Sequence, residues 1–246
     1  MSYYFLINIL ALSIPFIVSF DKRLKFNHKW KYLFPAMLAT MLVFIPWDII
    51  KTTMGVWGFN EKHLQGWYFF NLPVEEVFFF IAIPYACLFT YHSFEYLIRK
   101  DYLASSSKII TICLIVVLAL VALINADRIY TFVTFIATAL FLAIHLLFIK
   151  GDYYMGRFYF MYLVILLPFF LVNGALTGMF SPEAVVWYDN TQNLGIRIGT
   201  IPIEDSVYGL LLLLMNVTIY EALQSRSKRI QELKGIHAIA QFKSPS

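Results

Sequence analysis

Seven long apolar blocks, separated by short polar stretches, run along this 246-residue chain. They occupy 3–20, 32–50, 73–97, 109–126, 129–149, 158–177 and 202–223. A helix needs about 20 apolar residues to cross the hydrocarbon core of a bilayer. None of the blocks alternates apolar and polar residues with a period of two, so strands are not expected. Inside lipid every backbone N–H and C=O must be satisfied within the protein, which a helix does locally. The pattern predicts an all-α, polytopic membrane protein with seven transmembrane helices.

Charge orients these helices. Of 19 Lys and Arg residues, one side holds Lys22, Arg23, Lys25, Lys29, Lys31, Arg99, Lys100, Lys108, Lys150, Arg157, Arg226, Lys228, Arg229, Lys234 and Lys243. The other side holds only Lys51, Lys62, Arg128 and Arg197. The positive-inside rule then puts the N-terminus outside and the C-terminus in the cytoplasm. The first basic cluster follows the first apolar block instead of preceding it, so a cleaved signal peptide is not predicted. Composition agrees: 60% of residues are hydrophobic and 14% charged, where a soluble domain carries about a quarter charged. The net charge of +4 is spread over short loops, which gives no nucleic-acid surface. Cys87 and Cys113 fall inside apolar blocks and read as small fillers.

The chain also repeats itself. Asn71-Leu-Pro73-Val-Glu75-Glu76 is a near copy of Thr200-Ile-Pro202-Ile-Glu204-Asp205, and each opens an apolar block. Upstream, Asp48 and Thr52 match Asn173 and Thr177; further upstream, Tyr4 and Tyr130 stand 44 and 43 positions before Asp48 and Asn173. Helices one to three thus align with five to seven, with the fourth as a linker that lets the second unit run parallel to the first. The predicted organisation is a first repeat at 1–104, the linker helix and second repeat at 105–224, and a basic cytoplasmic tail at 225–246. Both acidic motifs then lie at the outer end of the bilayer, behind the two long outer loops 51–72 and 178–201.

These motifs carry the candidate chemistry. Proline suits a first helical turn, Asn71 and Thr200 read as N-caps, and acids near a helix start are favoured by its dipole. Four carboxyls, Glu75, Glu76, Glu204 and Asp205, at one depth beside hydrocarbon point beyond capping, because ionisable groups there are costly. Adjacent buried carboxyls resist ionising together, which suits one to give a proton and another to take it. Within each pair we expect Glu75 and Glu204 to be the essential acids. Asp48 and Asn173 either orient them or are solvated at the interface. Trp47, Trp57, Trp67, the run Tyr68–Phe70, the run Phe78–Phe80, Trp187 and Tyr188 crowd the same end. They read as an interfacial belt or, for a few of them, as ring faces beside a cation. His145 reads as a hydrogen-bonded core histidine, Asp127 and Arg128 as a pair in an outer turn, and Gly174–Gly178 as a close helix contact or a helix end. No catalytic triad, metal-ligand spacing or G-x-G-x-x-G loop is present in the sequence, so no cofactor is expected.

The duplicated Pro-x-Glu-(Glu/Asp), the Trp47-Asp48 pair leading into Trp57-Gly58-Phe59-Asn60, and Gly195-Ile-Arg197-Ile together resemble the membrane-embedded, non-flavin lycopene cyclases. In that family the halves occur as two chains, as one fused chain or joined to phytoene synthase; this sequence is similar to the fused form up to about Gln224. The resemblance implies lycopene β-cyclase activity, an isomerisation without net redox or cofactor. Glu75, Glu76, Glu204 and Asp205 would be catalytic, with Asp48, Asn173, Trp57, Trp67 and Trp187 supporting or binding substrate. It implies lycopene or a related linear carotenoid as substrate in the lipid bilayer of a bacterial or archaeal cell, and no nucleic acid. It leaves association with other carotenoid-pathway enzymes open. Other readings are an ε-cyclase or hydratase acting on the same end group, or a small membrane transporter. A retinal photoreceptor would need a Schiff-base lysine in 202–223, and none is there.

Overall fold

The structure, a computed structural model, describes residues 1–98, 100–149 and 151–243, with only the backbone of Asp152 and of 235–243. Arg99 and Lys150 of the basic loops, and 244–246 of the tail, lie outside the described residues. The chain is mostly helical, 73% of it. The helices are α1 (Tyr3–Val18), α2 (Trp30–Thr53), α3 (Val74–Leu97), α4 (Ser107–Ile124), α5 (Ile129–Phe148), α6 (Asp152–Leu176) and α7 (Ile203–Lys243). Six of these, α2 to α7, are long and apolar enough to cross a membrane. The seventh, α1, has 16 residues, about 24 Å at 1.5 Å per residue. It is shorter than the predicted 3–20. At the other end α7 does not stop at residue 223: the tail continues the same helix to Lys243.

Large apolar side chains such as Leu42, Leu120 and Leu167 point outward, as they must where lipid is the solvent. Inside, α1 lies along α3, α4 along α5, and α2 and α5 both pack on α7. Prolines interrupt the interiors of α1, α2, α3 and α6. Neighbouring helices make such breaks tolerable within a membrane bundle. His145 is buried and shares a 2.7 Å hydrogen bond with Tyr154, the expected core role. Arg128 does not serve Asp127 as expected: its guanidinium donates to the Asn193 carbonyl. Gly178, with φ +89°, lies just past the end of α6, so Gly174–Gly178 marks a helix end.

The loops that lead into α3 and α7 add short strands to this mostly helical chain. They hold six short strands: β1 (Trp57–Phe59), β2 (Tyr68–Phe69), β3 (Leu72–Pro73), β4 (Val186–Tyr188), β5 (Arg197–Ile198) and β6 (Ile201–Pro202). Strands β2 and β3 form a hairpin before α3, and β5 and β6 form one before α7. Their pairings match 129 positions apart: Tyr68 with Pro73 in one, Arg197 with Pro202 in the other. The backbone bends alike at matching positions, with left-handed Gly66 and Phe70 in the first hairpin and Gly195 and Gly199 in the second. Strand β1 pairs antiparallel with β4 and so joins the two loops, Trp57 opposite Tyr188 and Phe59 opposite Val186. At its centre Gly58 faces Trp187, whose indole occupies the space a Cβ would need. Lys62 and Glu183 add a 2.8 Å ion pair between the same loops.

The hairpins also replace the expected caps. Pro73 stands at the N-cap of α3, not in its first turn, and Asn71 does not cap: its amide donates to the Ile49 carbonyl and the Thr53 hydroxyl. Thr200 instead meets the Thr177 hydroxyl at 2.6 Å. The first N–H of each helix is taken up by a hairpin carbonyl, Val74 by Trp67 at 2.9 Å and Ile203 by Ile196 at 3.0 Å. A strand feeding directly into the helix leaves no extended polar residue free to turn back on it.

Candidate active site

Successive residues on an α-helix point about 100° apart, so two neighbouring acids cannot face one site. Glu75 and Glu204 turn into the hairpins. Glu75 Oε1 accepts from the Ser2 hydroxyl at 2.6 Å and the Gln65 N–H at 2.7 Å. Glu204 Oε1 accepts from the Thr131 hydroxyl at 2.6 Å and the Leu194 N–H at 2.8 Å. Both are fully buried. Each clamps its hairpin and a neighbouring helix start onto the helix it opens.

Glu76 and Asp205 turn the other way, into an internal cavity of about 250 Å³. Tyr4 donates to Glu76 Oε2. Tyr130 donates to Asp205 Oδ1 at 2.6 Å, and Tyr188 to its Oδ2 at 2.8 Å. Asp48 lines the same cavity as Glu76 and accepts from Tyr208 at 2.8 Å. Asn173, the counterpart of Asp48, points its amide at Asp205 Oδ2 from 3.5 Å. The acids cluster at one end of the cavity. The rest of the lining is mostly apolar, following α3 from Glu76 to Thr90 and α6 from Thr177 back to Tyr162. At the helical rise these walls are about 21 and about 23 Å long.

The named aromatic residues divide. Trp57 is buried and lines the cavity. Trp67 is 71% exposed on the first hairpin beside exposed Tyr68, Phe69 and Phe70, and Trp187 packs over Gly58 instead of facing the cavity. Trp67 and Trp187 are therefore not brought to the acids. In the sequence Tyr4 and Tyr130 stand out only by their spacing in the repeat, and nothing there marks Tyr208. The spacing of Tyr4 and Tyr130 from the acidic positions was the available signal for those two. Tyr4 stacks on Phe59, and Tyr130 on Tyr188. These rings wall the acidic end.

A bundle of apolar helices around a mostly apolar cavity that also holds three acids defines a membrane-embedded helical protein. The lycopene cyclase family model matches residues 1–94 and 127–223, and the chain belongs to this family. A stretch of 56 residues is 30% identical to the bifunctional lycopene cyclase/phytoene synthase of Aspergillus oryzae. That stretch covers 23% of this chain and 10% of the fungal protein. No solved structure matches the chain significantly.

Proposed function

We propose that the protein is a lycopene β-cyclase, with Glu76 and Asp205, not Glu75 and Glu204, as its reacting acids. The observation that carries this is the convergence of Glu76, Asp205 and Asp48 on the one polar end of a long apolar cavity. A linear carotenoid lies along α3 and α6 with its ψ-end against the acids. A carboxyl proton adds to the terminal double bond and leaves a tertiary cation. The next double bond along the chain attacks that cation and closes a six-membered ring. A carboxylate then removes the proton from the ring carbon that joins the polyene, giving the β-ring. One proton is given and one taken, so the reaction is an isomerisation. The faces of Tyr4, Trp57 and Tyr188 at that end suit a passing cation, and the apolar walls keep water from capturing it.

In the same reading the chain is two parallel three-helix repeats, α1–α3 and α5–α7, joined by α4, with seven spans and the N-terminus outside. The matched hairpin pairings and the two separate segments of the family match support it. So does the spread of cavity residues over both parts. The test is expression in a lycopene-accumulating bacterium followed by pigment chromatography. Monocyclic or bicyclic β-carotenoids are the expected products; unchanged lycopene from well-expressed protein rejects the reading, and ε-rings or hydrated ends reject the β-assignment.

A further inference from the structure

We propose that the two acid clusters differ in kind: the Asp48–Glu76 pair gives the proton, and Asp205 takes it back. This rests on the cyclase reading and assigns the direction within it. An ionised carboxylate oxygen only accepts hydrogen bonds. Asp48 and Glu76 line the same end of the cavity, and Asp48 holds beside Glu76 the place that Asn173 holds beside Asp205; two buried carboxyls side by side resist ionising together, so one of them keeps a proton. Their other neighbours, Tyr4 on Glu76 and Tyr208 on Asp48, are phenols that donate inward. The pair therefore holds one transferable proton.

Asp205 sits among different groups. Its two oxygens receive Tyr130, Tyr188 and the Asn173 amide, all donors with hydrogen to give, and no second carboxyl stands where Asp48 stands. Those are the surroundings of a carboxylate ready to accept. The difference is one side chain: Asp48 in the first half, Asn173 at the matching place in the second. An amide donates without bringing a proton to share. Asp48 is thus a positioning residue that keeps Glu76 charged with its proton between turnovers. The balance closes, since the proton lost by the pair reappears on Asp205 and returns through the cluster or solvent.

The test uses the full chain in proteoliposomes in D2O, with lycopene as probe and mass spectrometry of pigments. With Asp205→Asn the ring cation has no base to take its proton, so it reopens and the open cation gives a proton back to the Glu76 carboxylate; recovered lycopene gains deuterium at its terminal double bond while no cyclic product accumulates. Glu76→Gln adds no deuterium. Asp48→Asn lowers the rate of deuterium uptake about tenfold or more with little change in KM, and Asp48→Glu restores it. Deuterium in lycopene from Glu76→Gln but not from Asp205→Asn overturns the assignment, as does equal labelling from both or full exchange in Asp48→Asn. Those outcomes are judged beside a wild-type chain that forms rings. A wild type that forms none overturns the cyclase reading itself.

Discussion

Tyr208 on α7 donates its hydroxyl proton to Asp48 on α2 at 2.8 Å, across 160 positions of chain. Phe79 stands at the matching place on α3 and lines the cavity without a hydroxyl. Tyr208→Phe keeps the ring and its edge-on contacts with Phe44 and Trp47, and loses only the hydrogen bond. A net hydrogen bond of about 1 kcal/mol corresponds to a fall of roughly five- to tenfold in initial cyclisation rate. Initial rates in membranes at matched protein levels check this; an unchanged rate removes Tyr208 from the acid cluster.

Within each acidic pair the two residues respond differently to an amide. Glu76→Gln and Asp205→Asn each lower turnover by about a hundredfold or more, with normal accumulation in the membrane. Glu75→Gln and Glu204→Gln retain most of the rate but melt earlier in detergent. In each the amide oxygen can keep the two hydrogen bonds that Oε1 accepts, but an NH2 is then buried at the place of Oε2, which has no hydrogen-bond partner, at a cost of about 1–3 kcal/mol. Pigment analysis and thermal unfolding, run side by side on the four variants, decide it. Full loss of activity in well-folded Glu75→Gln would return that residue to the reaction.

Gly58 has no room for a side chain because Trp187 lies across it. Gly58→Ala separates β1 from β4 or displaces the indole, at about 1–3 kcal/mol. Trp187→Ala in the same chain relieves the clash. The checking measurement is a double-mutant cycle on the unfolding midpoint, in which the pair is expected to cost less than the two single changes together.

The two hairpins turn through left-handed residues of opposite suitability, Phe70 at φ +55° and Gly199 at φ +63°. A Cβ costs about 1–2 kcal/mol in that conformation. Phe70→Gly should therefore raise the unfolding midpoint, and Gly199→Ala should lower it and press on the Met179 side chain. Circular dichroism melts in detergent read both. A lower midpoint in Phe70→Gly would show that the exposed ring contributes more at the membrane surface than its backbone strain takes away.

Cutting the chain between α3 and α4 should leave two parts that work together. The break belongs ahead of Asp101, not at 104–105. Asp101 accepts from the Arg157 N–H at 2.9 Å, and the Ala104 backbone packs on Gly156, so this segment is held by α6. Neither part alone supplies both Glu76 and Asp205, so neither alone should cyclise lycopene, whereas co-expression should. Activity from one part alone would dismiss the shared site.

The long apolar blocks were legible because a helix in lipid satisfies its backbone locally, so block length and composition suffice to place it. The acidic motifs were legible because they occur twice. Which acid of each pair faces the cavity was not. That depends on where the helix begins, and Pro73 proved to be a cap fed by a hairpin, so the expected caps Asn71 and Thr200 were free for other partners. A motif read as a string cannot say which of two neighbours, 100° apart, meets α2 and which meets the loop. The phenol ring around the acids was hidden for the same reason. Tyr4, Tyr130, Tyr188 and Tyr208 come from four elements, and only packing brings them together. Trp57 and Trp67 look alike in the sequence, but β1 pairs with β4 and carries Trp57 inward, while the first hairpin leaves Trp67 exposed. The sequence determined the apolar helices and the presence of paired acids, because both are local. The tertiary structure decided which acids share a cavity and with which donors, because hydrogen bonds across 70 to 160 positions form only when the helices pack.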